Sequence, residues 1–325
     1  MARRASFAAS FRRTLRTLTR VAQARVKAAV KKTRPAPRAA KPGQRWISGI
    51  ALNAAGARRY LLFRPPGARK TSPLPLLVLL HGCTQDAATI ARSTRVHSLA
   101  ARERFIVLCP EQDRLANPQG CWNWFEQRSG RAAAEAALIN AAVDQACALH
   151  GADPSRIAVA GLSAGASMAA LLGLHYPQRF KAVAMHSGVA PGAAQSAATA
   201  LRAMQGRGKL HALASHAALP PLLVIQGDAD HIVAPRNGRA VAQWWAGAAQ
   251  AGAVRIVQRG QRHAARVTDF RDGARIAVTL CEIKGLAHAW SGGAAGQPYS
   301  DPNGPDATRM VWAFAARAFA VTARA

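Results

Sequence analysis

Ser163 is the residue in this chain whose setting most resembles that of a nucleophile. It is the centre of Gly161-Leu162-Ser163-Ala164-Gly165, with the apolar run Arg156-Ile157-Ala158-Val159-Ala160 before it and the helix-prone Ala166-Ser167-Met168-Ala169-Ala170-Leu171-Leu172 after it. Gly-x-Ser-x-Gly between a strand pattern and a helix pattern predicts a nucleophile elbow, a sharp strained turn that lifts the serine hydroxyl above the carboxyl end of a sheet. The flanking glycines leave room where strand and helix backbones cross. The pentapeptide also fits an ordinary tight turn.

A serine hydroxyl attacks an acyl carbon only when a base removes its proton and a third group orients the base. In an elbow-bearing sheet these follow in the order serine, acid, histidine, each on a loop after a strand. The strand pattern Leu222 to Gln226 runs into Gly227-Asp228-Ala229-Asp230-His231, and Ala277 to Ile283 runs into Lys284-Gly285-Leu286-Ala287-His288-Ala289-Trp290. Asp230 is the expected acid and His288 the expected base. Asp228 is the alternative acid, because two aspartates share one turn, though a turn-bracing role suits it better. His186 and His231 fall near the same edge but out of chain order, and the remaining histidines read as solvated or packed. An oxyanion needs two donors. The backbone N–H groups expected to supply them are Ala164, just after the serine, and Cys83, in the loop His81-Gly82-Cys83-Thr84-Gln85.

These loops need a sheet to carry them. Trp46 to Asn53 and Arg59 to Phe63 read as a hairpin around Ala54-Ala55-Gly56, and Leu74 to Leu80 as a central strand buried on both faces. A helix pattern over Ala87 to Arg102 precedes a strand at Phe105 to Cys109. An irregular stretch, Pro110 to Gly130, follows and holds Trp122 and Trp124. Beyond it come helix Arg131 to Leu149, the elbow, strand Lys181 to Met185, a helical excursion Ala193 to Met204, helix Asn237 to Ala249, a strand near Val254 to Gln258 and a last helix from Asp306. Alternating strands and helices predict an α/β fold, a doubly wound and mostly parallel sheet opened by an antiparallel hairpin. The segment between Gly188 and Pro220 is too short for a large lid.

The formal charge of +29 is uneven: residues 1–45 hold 14 Lys and Arg and no Asp or Glu, leaving 30 basic against 15 acidic residues beyond them. Phe7, Phe11, Leu15, Leu18, Val26 and Val30 recur at helical spacing among those cations, and Lys31 to Lys41 with Pro35 and Pro37 reads as a stiff linker. Two domains follow from this, a basic tail over 1–45 and a catalytic domain over 46–325. No apolar run after the first cations resembles a signal peptide or a membrane span. A polyanionic partner for residues 1–42 is expected, whether nucleic acid, an anionic membrane or a storage granule; a solvated arm is the alternative. Five cysteines without a CxxC pair do not make a disulfide scaffold. Cys109, Cys147 and Cys281 lie in apolar patterns. Cys83 and Cys121 fall in loops that border the site, and a disulfide between them is a hypothesis.

His81-Gly82-Cys83-Thr84-Gln85, Cys121-Trp122-Asn123-Trp124-Phe125, the elbow, Gly227-Asp228-Ala229-Asp230 and Tyr299-Ser300-Asp301-Pro302-Asn303-Gly304-Pro305-Asp306-Ala307 together resemble the polyhydroxybutyrate depolymerase family of esterases. The resemblance runs over about residues 46–320. It implies an α/β-hydrolase fold and a carboxylic-ester hydrolase needing no metal or organic cofactor, with relatives acting on hydroxybutyrate polymers and oligomers, short acyl esters, and feruloyl or acetyl groups of polysaccharides. The family's acid is the second aspartate of its turn, which favours Asp230. Trp122, Trp124 and Trp290 are expected either to wall the acyl site or to pack in the core. Many relatives are secreted; the basic start of this chain instead suggests a cytoplasmic or granule-bound esterase. The rival reading is a binding protein whose tail is its active part.

Overall fold

The computed structural model describes residues 46–69, 71–211 and 219–322. The basic tail and linker expected over 1–45 lie outside the described residues. The strands are β1 (Trp46–Asn53), β2 (Gly56–Phe63), β3 (Leu74–Leu80), β4 (Ile106–Pro110), β5 (Ala152–Leu162), β6 (Phe180–His186), β7 (Leu222–Gly227), β8 (Gln250–Ala251), β9 (Arg255–Val257), β10 (Ala265–Asp272), β11 (Arg275–Ile283), β12 (Trp290–Ser291) and β13 (Ser300–Asp301). The helices are α1 (Ala87–Thr94), α2 (Val96–Glu103), α3 (Arg131–His150), α4 (Ala164–His175), α5 (Ala197–Arg202), α6 (Arg236–Ala246) and α7 (Ala307–Thr322).

Six strands form the parallel centre of the main sheet in the order β4-β3-β5-β6-β7-β11. The antiparallel hairpin β1-β2 extends it on one side, and β10 with β8 and β9 on the other. The central strands are continuous apolar runs because helices cover both faces. One core layer joins the sheet to α3, α4 and α6, and the other joins it to α1, α2 and α7. This is the α/β-hydrolase fold expected from the sequence, with its antiparallel hairpin at the start. Between β6 and β7 the described residues form only α5 and a wide helical turn, so no large lid is built there.

Two local expectations are corrected, and one further strand is found. The helix expected over 87–102 is two helices, broken where Arg95 adopts φ 53°. There the Thr94 hydroxyl bonds the Ile90 carbonyl and the Arg95 guanidinium donates to the Gly292 carbonyl (2.6 Å), so tertiary contacts outweigh the helical propensity. The strand near 254–258 is only the short, exposed β9. It lies against β10, which the sequence pattern hides: Ala265-Arg-Val-Thr-Asp-Phe-Arg-Asp272 alternates weakly and carries four charges.

Candidate active site

Strands β3, β5, β6, β7 and β11 run parallel and end side by side, which brings their following loops to one edge of the sheet, where open α/β sheets place their ligand sites. At the end of β5, Ser163 has φ 57° and ψ −121°, a conformation that L-residues rarely adopt and that is held here from both sides. Its N–H donates to the His186 carbonyl at the end of β6 (2.9 Å), and its carbonyl accepts from Ala166 (2.9 Å) as α4 begins. A Cβ on Gly161 would lie 2.3 Å from the Gly165 carbonyl, and one on Gly165 would lie 2.4 Å from the Leu80 carbonyl oxygen. The two glycines let β5, α4 and β3 meet beneath the serine.

The acid and histidine turns are stapled together. Asp228 accepts from the Gly285 N–H (2.6 Å), while the Asp228 and Ala229 N–H groups donate to the carbonyls of Ile283 (3.1 Å) and Leu286 (3.2 Å). Asp228 is thus committed to bracing the turn. Asp230 faces inward, with its Oδ2 2.8 Å from His288 Nδ1 and its Oδ1 accepting from the N–H groups of Ile232 (2.9 Å) and Val233 (2.8 Å). Gln226 Nε2 adds a bond to Oδ2 (3.2 Å). Burial alone would raise the Asp230 pKa. The His288 charge and these hydrogen bonds outweigh it and keep the carboxyl below its ordinary value, so it is an anion against the imidazole. The contact holds the His288 ring through Nδ1, and among the described residues Nε2 makes no hydrogen bond. Among the described residues no hydrogen bond yet joins the Ser163 hydroxyl to that ring, and such bonds commonly tighten only when substrate is present.

In the loop after β3, Gly82 N–H donates to Gln85 Oε1 (2.9 Å), Thr84 N–H to the Gln119 carbonyl (2.8 Å) and Gln85 N–H to the Gly82 carbonyl (3.2 Å). Among the described residues the Cys83 N–H and the Ala164 N–H have no partner, which suits the donor role assigned to them. Cys83 is disulfide-bonded to Cys121, tying this loop to the irregular stretch before α3. The other three cysteines are free; burial raises the pKa of Cys281 to about 12 and pushes Cys109 and Cys147 up as well.

Trp122, Trp124 and Trp290 are almost wholly buried. Trp122 donates to the His81 carbonyl (3.0 Å) and Trp290 to Thr308 Oγ1 (3.0 Å), while Trp290 also stacks on His186. Each large ring fills volume under the loops, and committing the indole N–H removes the desolvation penalty. Of the two histidines near the edge, His186 is buried with Nε2 accepting from Ser291 N–H (3.1 Å), whereas His231 is exposed. Burial first, then the charge of His288, pushes the His186 pKa down to about 3 against the opposing pull of Asp230. It is a neutral brace linking the elbow to the His288 loop.

Sequence reasoning missed the polar cluster beneath the oxyanion loop. Buried Glu135 on α3 accepts from Gln112 Nε2 (2.6 Å), Asn123 Nδ2 (2.6 Å) and Asn123 N–H (2.9 Å). Gln112 in turn accepts from the Arg58 guanidinium, and its N–H donates to His81 Nε2 (3.0 Å). Arg58, itself buried, lies 5.3 Å over Trp122. Burial lowers its pKa, with Glu135 and Asp113 opposing. Burial likewise takes His81 down to about 4. One signal was present: Glu135 falls on the same helical face as Ala132, Ala136, Ile139 and Val143, where a carboxylate needs partners.

Residues 58–246 match the model of the family described as esterase PHB depolymerase. The chain is 36% identical over 175 residues to poly(3-hydroxyalkanoate) depolymerase C of Paucimonas lemoignei, covering 50% of this chain and 42% of that one. It is 31% identical over 156 residues to feruloyl esterase B of Neurospora crassa, covering 47% and 51%. The chain therefore spans about half the length of the relatives it matches. Among solved structures, an acetyl xylan esterase from Aspergillus awamori shares the fold with a TM-score of 0.59 at 19% identity, over 75% of this chain and 93% of that one. The matched span carries the loop 81–85, the elbow 161–165 and the turn 227–230, and the chain belongs to the esterase PHB depolymerase family.

Proposed function

We propose that this chain is a serine-dependent carboxylic-ester hydrolase that cleaves poly- or oligo-(3-hydroxybutyrate) or related short hydroxyalkanoate esters. The observation that carries the reaction type is the buried 2.8 Å contact of Asp230 with His288 at the same sheet edge as the strained Ser163. Ser163 Oγ attacks the ester carbonyl as His288 Nε2 takes its proton, and the oxyanion forms against the Cys83 and Ala164 N–H groups. The proton then passes to the departing alkoxide, and the acyl-enzyme C–O bond remains. Water, deprotonated by His288, attacks the acyl carbonyl carbon; the bond from that carbon to Ser163 Oγ breaks, His288 returns the proton to Oγ, and the acid leaves. Asp230 holds the imidazole throughout.

The hydroxyalkanoate substrate is supported by the 36% identity to the depolymerase of Paucimonas lemoignei. The 31% identity to a feruloyl esterase favours a second reading, in which the acid is carried on a polysaccharide. A fluorophosphonate probe tests the reaction: labelling of the folded protein that is lost in Ser163→Ala is expected, and unlabelled wild type rejects the enzyme in favour of a binding protein. Hydrolysis rates on hydroxybutyrate oligomers, feruloyl esters and acetylated xylan separate the two substrates. For residues 1–42 the reading is adsorption to an anionic surface, supported by their charge alone. Deleting them is expected to abolish salt-sensitive binding to anionic vesicles or granules, and unchanged binding refutes this.

A further inference from the structure

The segment after His288 is held by backbone and side-chain bonds along its length, several of them at or beside Tyr299. Tyr299 has φ 51°, a left-handed conformation that costs a non-glycine residue energy and persists only where neighbours impose it. Its carbonyl accepts from Trp290 N–H (2.8 Å) as β12 pairs with β13. On one side the Pro298 carbonyl accepts from Ser93 Oγ (3.1 Å); on the other, Ser300 Oγ donates to the Ala294 carbonyl (2.7 Å). Further along, the Asn303 carbonyl accepts from His263 N–H (2.9 Å) and the Gly304 carbonyl from Arg262 (2.6 Å).

This scaffold sets the half-buried Tyr299 ring edge-on to His288, with centroids 6.3 Å apart, and its hydroxyl 3.2 Å from Thr84 Oγ1. Thr84 follows Cys83 and is itself left-handed at φ 66°. Tyr299 therefore spans from the oxyanion loop to the base. Two hydroxyls bring two O–H donors, and one is used between them; among the described residues neither hydroxyl has another partner. Whichever hydroxyl donates, one donor is left at this contact, at the far end of the ring that lies against His288. A half-buried donor without a protein acceptor is open to an acceptor on a ligand, which would replace water there.

We propose that Tyr299 and Thr84 are specificity-determining residues that bind a second oxygen acceptor, an ester carbonyl or a hydroxyl, on the alcohol side of the scissile ester. The proposal rests on the esterase reading and deepens it: the enzyme selects esters whose leaving alcohol carries a further oxygen function over those with a plain alkyl alcohol. Two substrates with one acyl group test it, ethyl butanoate and ethyl 3-(butanoyloxy)butanoate, with butanoate release measured on full-length protein. Wild type is expected to show higher kcat/KM on the diester. Tyr299→Phe and Thr84→Val should each lower the ratio of the two kcat/KM values about three- to tenfold, the span of one hydrogen bond, mainly through KM on the diester. Thr84→Ser should keep the wild-type ratio. Equal losses on both substrates would mean that the pair only supports His288 or the fold, and an unchanged ratio would mean that the hydroxyls bind nothing; either result overturns the proposal. Wild type inert on both esters would overturn the esterase reading first, and this inference with it.

Discussion

Two buried polar clusters hold opposite walls of the cleft around Ser163, and they are built in opposite ways. On the acid side, Asp230 finds Gln226, Ile232 and Val233 within a few residues of itself, and only His288 comes from a distant part of the chain. On the oxyanion side, Glu135 gathers Gln112 and Asn123, Gln112 gathers Arg58, and His81 is held by the Gln112 N–H. Those partners come from β2, α3 and two separate loops. The acid cluster is a local turn that aims one charge. The second cluster is a long-range frame under the loop after β3, in which Gly82, Thr84 and Gln85 have their N–H groups engaged and, among the described residues, Cys83 does not. Damage to the first is expected in the chemistry and damage to the second in the folding.

The sharpest break between them is Asp230→Asn, which removes the charge that orients His288. It is expected to lower kcat by about ten-thousand-fold, measured on any ester the wild type cleaves. A variant retaining a tenth of wild-type kcat would move the acid role away from Asp230. Glu135→Gln tests the other side. It puts an amide where three donors converge and deprives Arg58 of its nearby anion, and it should cost about 3–5 kcal/mol of unfolding free energy, as breaking a buried charge cluster does. Urea unfolding measures it, and a loss below about 1 kcal/mol would show that the cluster does not frame the loop.

The disulfide belongs to the same frame by a different means. Cys83 and Cys121 are 38 residues apart in sequence, and a cross-link over that span restricts the unfolded chain by about 2–4 kcal/mol. Replacing both by alanine should lower stability by about that amount, additively with distant sites but not with Glu135→Gln, since Gln112 also donates to the Cys121 carbonyl. Full additivity in a double-mutant cycle would show that the disulfide and the Glu135 cluster hold the loop independently of each other.

The same contrast explains what the sequence makes legible. The elbow, the acid turn and the histidine turn are short patterns after apolar strands, so Ser163, Asp230 and His288 can be named from local spacing and chain order. Spacing does not separate Asp228 from Asp230; the family resemblance favours Asp230, and the contacts divide them, Gly285 N–H for one and His288 for the other. Glu135 sits on the apolar face of an alanine-rich helix, which signals that it needs partners, but Gln112 and Asn123 are brought to it only by the fold. Strand β10 is hidden for a related reason: its Arg266 and Arg271 are exposed, Asp269 makes ion pairs with Arg255 and Arg271, and pairing with β11 fixes it where its own pattern does not. Trp122 and Trp290 read in the sequence as either substrate wall or core, and the hydrogen bonds that hold their indoles join residues 41 and 18 positions apart.

The smallest expected effect compares the two walls within one measurement, because each holds one buried neutral histidine. His81 on the oxyanion side is pushed down to about 4 and His186 beside the acid cluster to about 3, both chiefly by burial. An unfolded histidine titrates near 6.5. Between that value and the folded one, the unfolded chain binds a proton that the folded chain refuses, so stability is complete above about pH 6.5 and falls as the pH drops toward 4. Each group contributes a slope of at most about 1.4 kcal/mol per pH unit. The lowered pKa of Asp230 has the same sign, but its loss comes at lower pH, as the carboxylate itself is protonated. Urea unfolding between pH 4.5 and 7 should show the slope in wild type and a reduced slope in His81→Asn and in His186→Asn. An unchanged slope in either variant would mean that its histidine is protonated in the folded protein, and the ring's role as acceptor for Gln112 N–H or Ser291 N–H would fall with it.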